Sequence, residues 1–162
     1  MPLRMTTLGC LALVLAGLVA GCGSEDAPPT LKEDFIAKVD RLCAADDRRT
    51  AQAAADFQDA IKDDDYAAAA AVVTGLQTTE AATIEQIEAI DPPEADQVTI
   101  DEYVSLSKQL NELDTRIADA VKLEDHEASD VAEKEGDLLE DRRNRLADDY
   151  GFNQCGTGED AL

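Results

Sequence analysis

An all-α chain folded as an up-down-up-down four-helix bundle stapled by one disulfide is the fold this sequence predicts. Three observations carry it. Apolar residues recur at a period near 3.6 through four long stretches, no stretch sustains the alternation of a strand, and the breaks between stretches are short and rich in Asp, Glu or Pro. Short connections between long amphipathic helices make neighbours antiparallel. Alanine is abundant on the inward faces and Trp is absent, so the expected core is mainly aliphatic.

Residues 1–21 read as a lipoprotein signal peptide that is removed. Met1 and Arg4 form a short positive start, and Leu8 to Ala20 an apolar run. Val19-Ala20-Gly21-Cys22 then sets small residues directly before a cysteine. A membrane span is disfavoured, because Leu8 to Gly21 is 14 residues and a span needs roughly 20. An ordinary signal peptide cut nearby would leave Cys22 as a stray thiol, and a buried core helix would ignore the position at the extreme N-terminus. The segment resembles the signal of bacterial lipoproteins, which implies Cys22 as the lipid attachment residue, acylated on sulfur and amine with palmitate-type chains. Two or more chains anchor a protein stably where one is marginal. Residues 22–30 are then the lipidated cysteine and a short tether. Gly23 to Pro29 reaches at most about 25 Å, which holds residues 31–162 close to the outer face of the cell membrane.

Loss of Arg4 with the signal peptide moves the formal charge from −22 to −23. Such a surface repels nucleic acid and anionic headgroups. It suits solubility, a protein partner with a basic surface, or divalent cations. Cys10 leaves with the signal peptide and Cys22 is acylated, so Cys43 and Cys155 remain. Two cysteines in an exported domain most often pair.

The first helix opens at Thr30-Leu31-Lys32-Glu33, a capping box with Thr30 as N-cap. Phe35, Val39, Leu42, Cys43, Ala53, Phe57 and Ile61 carry it to Asp63-Asp64-Asp65, which suits the positive start of a second helix. That helix runs through Ala69, Val72, Val73, Leu76, Thr83, Ile84, Ile87 and Ile90 until Asp91-Pro92-Pro93 stops it. Ile100, Tyr103, Val104, Leu106, Leu110, Leu113, Ile117 and Val121 define a third. Beyond Glu124-Asp125-His126, a fourth carries Val131, Leu138, Leu139 and Leu146 and ends at the C-cap Gly151. With a shared rise of about 1.5 Å per residue, the fourth helix ends level with the early part of the first, and Cys155 falls beside Cys43. No internal repeat is evident.

Helical wheels place polar residues within the apolar stripes at one height: Asp46 and Thr50, Glu80 and Thr83, Ser107, with Asp114 higher and Glu135 and Arg142 on the fourth helix. Asp46, Glu80, Ser107 and Arg142 form the candidate interior polar layer, with Arg142 held between Asp46 and Glu80. Removal of Arg142 would then leave buried negative charge, a loss on the order of 3–5 kcal/mol. The layer reads either as a device that fixes helix register or as a small cavity for a cation or polar ligand.

Catalytic chemistry is missing from the sequence. His126 is the only histidine and sits in a predicted turn, and Glu-x-x-His pairs of di-iron bundles are absent. Both methionines leave with the signal peptide, which removes the axial ligands of a b-type haem. A Ser or Cys nucleophile lacks a histidine base, phosphate-binding glycine loops are absent, and Asp63-Asp64-Asp65-Tyr66 lacks the spacing of an EF-hand. No enzyme, no cofactor and no metal site are expected.

Phe35-Ile36-Ala37-Lys38-Val39-Asp40-Arg41-Leu42-Cys43, Asp91-Pro92-Pro93 and Asp149-Tyr150-Gly151-Phe152-Asn153-Gln154-Cys155-Gly156 resemble small Ala-rich lipoproteins of high-GC Gram-positive (actinobacterial) type. Such proteins carry a first-helix cysteine and a Tyr-Gly-Phe-x-x-Cys-Gly tail. The resemblance covers most of the mature chain, implies the Cys43–Cys155 disulfide and brings no activity with it. The expected function is a non-enzymatic, lipid-anchored extracytoplasmic module for protein interaction or envelope structure. The alternative is a solute- or divalent-cation-binding lipoprotein that uses the polar layer or an acidic groove.

Overall fold

The computed structural model describes residues 30–156; the predicted signal peptide, Cys22 and most of the tether lie outside them. Four α-helices form a helical bundle: α1 (Leu31–Lys62), α2 (Tyr66–Glu88), α3 (Gln97–Lys122) and α4 (His126–Tyr150), with a 3₁₀ turn at Glu94–Asp96 and no strand among the described residues.

Each boundary has a local cause. At the start of α1 the Thr30 hydroxyl accepts from the Glu33 amide at 3.2 Å, and the Glu33 carboxylate accepts from the Thr30 amide at 2.6 Å. Those bonds, the backbone one foremost, hold the Glu33 carboxyl below the usual range. Asp65 caps α2 by accepting from the Ala68 amide at 2.9 Å, and Asp125 caps α4 by accepting from the Ala128 amide at 3.0 Å. Gly151 ends α4 at φ 103°, a left-handed conformation that a Cβ penalises. The Phe152 amide then bonds back to the Ala147 carbonyl at 3.0 Å and turns the tail toward α1.

The turns before α2 and α4 are built alike, and here, against the expectation of no internal repeat, the sequence runs in parallel: Asp59-Ala60-Ile61-Lys62 and Asp119-Ala120-Val121-Lys122 each lead to a capping aspartate, Asp65 and Asp125. Asp64 and Glu124 both sit at φ 55°, and Asp65 and Asp125 bond back to the carbonyls of Ala60 and Ala120, each at 2.9 Å. The first residues of the two following helices meet edge to face, with the Tyr66 and His126 rings 6.1 Å apart.

The helices pack in chain order, α1 on α2, α2 on α3 and α3 on α4. Along their described lengths α1 and α4 make no comparably close backbone approach. A core of Phe35, Val39, Ile84, Ile87, Ile100 and Tyr103, together with Tyr150 and Phe152, fills one end of the bundle. A smaller one, Ala69, Ala70 and Val121 with Phe57 and Ile61 against them, fills the other.

The C-terminal tail closes the first end. Cys43 and Cys155 stand at disulfide distance, Sγ–Sγ 2.11 Å and Cα–Cα 5.2 Å. Phe152 inserts among Tyr150, Tyr103 and Phe35 at centroid distances of 4.9, 5.4 and 6.2 Å. The Asp40 carboxylate on α1 accepts from the backbone amides of Asn153 and Gln154, each at 3.0 Å, and from the Asn153 side chain at 3.1 Å. Lys32 lies 4.0 Å over the Tyr150 ring, whose hydroxyl donates to Asp96 at 3.0 Å. Burial, followed by that bond and the Asp96 charge, pushes the Tyr150 phenol upward.

Candidate functional site

Between the two apolar clusters lies a cavity of about 180 Å³ lined by all four helices and the tail. Asp46 and Asp47 come from α1, Glu80 and Thr83 from α2, Tyr103 and Ser107 from α3, and Glu140 and Arg143 from α4. Three of the four residues predicted for the polar layer, Asp46, Glu80 and Ser107, therefore line one space.

The fourth does not. Arg142 points outward, with its side chain 60% exposed, and pairs with Glu102 on α3. Arg143 takes the inward place. The cause is the way α4 packs. Its buried residues are Ser129, Ala132, Ala147 and Tyr150, whereas Val131 and Leu138 are 54% and 73% exposed. Small side chains let α4 approach α3 closely, and a wheel centred on the large aliphatics is rotated away from the true inner face. Glu135 likewise lies on the surface, paired with Arg116 at 2.7 Å. Thr50 is exposed and borders a neighbouring apolar groove of about 250 Å³ that Phe57 and Leu76 also line.

An exposed pair such as Arg142–Glu102 contributes about 0–1 kcal/mol. Arg142→Ala should accordingly shift the urea midpoint by no more than that. A loss of 3 kcal/mol or above would return Arg142 to the interior.

The charges inside the layer are unevenly matched. Asp46 is met by Arg49 of its own helix at 2.8 Å, and Arg49 also donates to the Thr83 hydroxyl at 3.0 Å. Thr83 can donate to Asp46 at 3.2 Å. Arg143, half-buried, donates to the Asn144 side chain at 3.0 Å and lies 3.6 Å from Glu140. Burial, then the charge of Asp46, raises the Asp47 carboxyl, against the pull of Arg143 and Arg48. Ser107 donates to the Tyr103 carbonyl at 2.9 Å, and the Tyr103 hydroxyl lies 3.8 Å from the Cys43 sulfur.

Glu80 is met differently. Its carboxyl meets that of Asp114 on α3, while the nearby Asn111 side chain donates to the Gln77 carbonyl at 2.7 Å. Burial first, then the bond to Asp114 and the charges of Asp114 and Asp46, push Glu80 up to about 8. Asp114 is raised as well, chiefly by burial. Two facing carboxyls shielded from water cannot both ionise readily, so near neutral pH they share a proton.

A pH dependence follows. The folded chain keeps the Glu80 proton where the unfolded chain has lost it, so this group stabilises the fold most at acid pH. Stability declines as pH rises from the ordinary glutamate range through about pH 8. Glu80→Gln cannot ionise. Its urea midpoint relative to the parent should rise between pH 5 and pH 9, and parallel curves for the two proteins would contradict the shared proton.

Among the described residues, no three His, Cys, Asp or Glu side chains converge as metal ligands would. His126 is exposed at the start of α4. No described helix is long and apolar enough to cross a membrane. The chain matches no protein-family model, no curated protein and no solved structure.

Proposed function

We propose that this chain is a non-enzymatic, lipid-anchored extracytoplasmic module that binds a small cationic solute between the helices of an up-down-up-down bundle. The observation that carries the reading is the cavity itself. It is of ligand size, and acidic side chains of α1, α2 and α4 face it with Arg143 as the cation on its wall. An engineered cavity of about 150 Å³ holds a benzene-sized molecule, so a space of about 180 Å³ takes a compact solute. Ile84, Ile87 and Leu110 line it beside the polar groups. That mixture suits an organic ammonium ion with an apolar body better than a metal, which would need converging ligands.

The anchor rests on the Val19-Ala20-Gly21-Cys22 sequence and the tether on Gly23 to Pro29. Packing of successive helices through short connections supports the up-down course. The resemblance to Ala-rich actinobacterial lipoproteins agrees with this placement. Interaction with a protein of basic surface is the second reading, favoured by the excess of 36 acidic over 14 basic residues.

A thermal-shift screen with Ca²⁺, Mg²⁺, Zn²⁺ and small ammonium compounds tests the first reading. A ligand of the folded state at a hundred times its Kd adds about 2.7 kcal/mol. Ammonium compounds should raise Tm in the parent and lose most of that effect in Asp47→Asn. A flat screen would instead favour the protein-interaction reading. Cys22→Ser should abolish labelling by a palmitate analogue and release the protein from membranes.

A further inference from the structure

The carboxyl pair at the back of the cavity gives the site a means of exchanging charge. We propose that the cavity takes up its organic cation in exchange for the proton shared by Glu80 and Asp114. This inference rests on the solute-binding reading above and adds how binding is balanced and controlled.

The geometry sets up the exchange. Glu80 stands on the cavity wall and Asp114 behind it, so the face of the pair toward the cavity is the Glu80 carboxyl. The charges around the pair are already largely engaged. On α1, Asp46 is held by Arg49. On α4, Glu140 lies beside Arg143, which also offsets Asp47. On α3, the neutral Asn111 side chain beside the pair is engaged with the Gln77 carbonyl. No lysine or arginine among the described residues forms an ion pair with Glu80 or Asp114.

The proton therefore occupies the position where a positive charge is needed. An ammonium group placed against Glu80 supplies that charge, and the carboxyl proton leaves to water. One cation enters and one proton departs, so the net charge of the interior is unchanged. A neutral solute of the same shape releases nothing. Ile84, Ile87 and Leu110 receive the apolar body in either case.

Cyclohexylammonium is a suitable probe, because alkylamines titrate near the lysine value, about 10.4, and stay charged across the range needed. Cyclohexanol is its neutral counterpart. Calorimetric titration of the mature domain in two buffers of different ionisation enthalpy reads both affinity and proton release. Affinity for cyclohexylammonium should rise about tenfold per pH unit below the titration of Glu80 and level off above it. About one proton should be released per cation bound at pH 6 to 7. Glu80→Gln should flatten the pH profile and stop the release, and Asp114→Asn should move the inflection to lower pH. Cyclohexanol should show no pH dependence.

Binding of cyclohexylammonium with a flat profile and no released proton would overturn the exchange while leaving the solute-binding reading intact. Absence of binding at every pH would overturn both. A slope that persists in Glu80→Gln, with that variant folded by circular dichroism, would also overturn the assignment to this pair.

Discussion

Replacing Cys43 and Cys155 together by serine should lower stability by about 4–5 kcal/mol, the largest single effect expected in this chain. The bond closes a loop of 112 residues, and in the chain-entropy model loops near that length restrict the unfolded ensemble by this amount. The link spans nearly the whole described bundle, so its removal frees almost the entire unfolded chain. Domains are commonly stable by only 5–15 kcal/mol, and the variant should approach the threshold of folding at elevated temperature. Urea denaturation followed by far-UV circular dichroism gives the number. A loss below 1 kcal/mol would mean that Asp40 and the aromatic cluster hold the tail without covalent help.

Phe152→Ala should cost about 3–5 kcal/mol, the range for removing a buried aromatic side chain. Phe152 is 4% exposed and touches rings from α1, α3 and α4 at once. Through it the tail joins α1 to α3 and α4, and α1 makes no close backbone approach to either of them. Its loss should couple with loss of the disulfide, since both act on the same closure. In the cysteine-free background the penalty of Phe152→Ala should therefore differ from its value in the parent, by an interaction energy of about 0.5–3 kcal/mol. Strict additivity would show the two contacts to be independent. Near-UV circular dichroism should report the loss of the packed rings directly.

The helix limits were legible because their causes are local. Thr30 and Glu33 form their capping box within four residues, and Asp65, Asp125 and Gly151 act on the backbone beside them. Asp46, Glu80 and Ser107 were legible as interior polar residues because α1, α2 and α3 bury large apolar side chains that mark their inner faces. On α4 the mark is reversed. Ser129, Ala132 and Ala147 go inside while Leu138 stays out, so hydrophobicity pointed to Arg142 where packing chose Arg143.

Other features left little trace in the sequence. Asp40 looks like any surface acid of α1, yet it holds the tail through bonds to Asn153 and Gln154 more than a hundred residues away. The matched turns at Asp64 and Glu124 do have a counterpart in the sequence: Asp59-Ala60-Ile61-Lys62 before the first matches Asp119-Ala120-Val121-Lys122 before the second, and an aspartate cap follows each, but so short a likeness does not stand out as a repeat. Asp114 was visible as a polar interruption in α3, but its pairing with Glu80 depends on the crossing of two helices.

Sequence alone was enough for the four helices, their caps and breaks, and the placing of Cys43 beside Cys155. Those properties depend on residues near in the chain, or on the fixed rise of a helix that sets two positions at one height. Tertiary packing settled which arginine faces inward, that α1 and α4 meet through side chains and the tail without close backbone approach, and that the polar layer lines a cavity with the Glu80 carboxyl on its wall. Each of these is set by how closely two helices approach. That distance depends on small side chains packed across the interface, and neither partner's sequence specifies it alone.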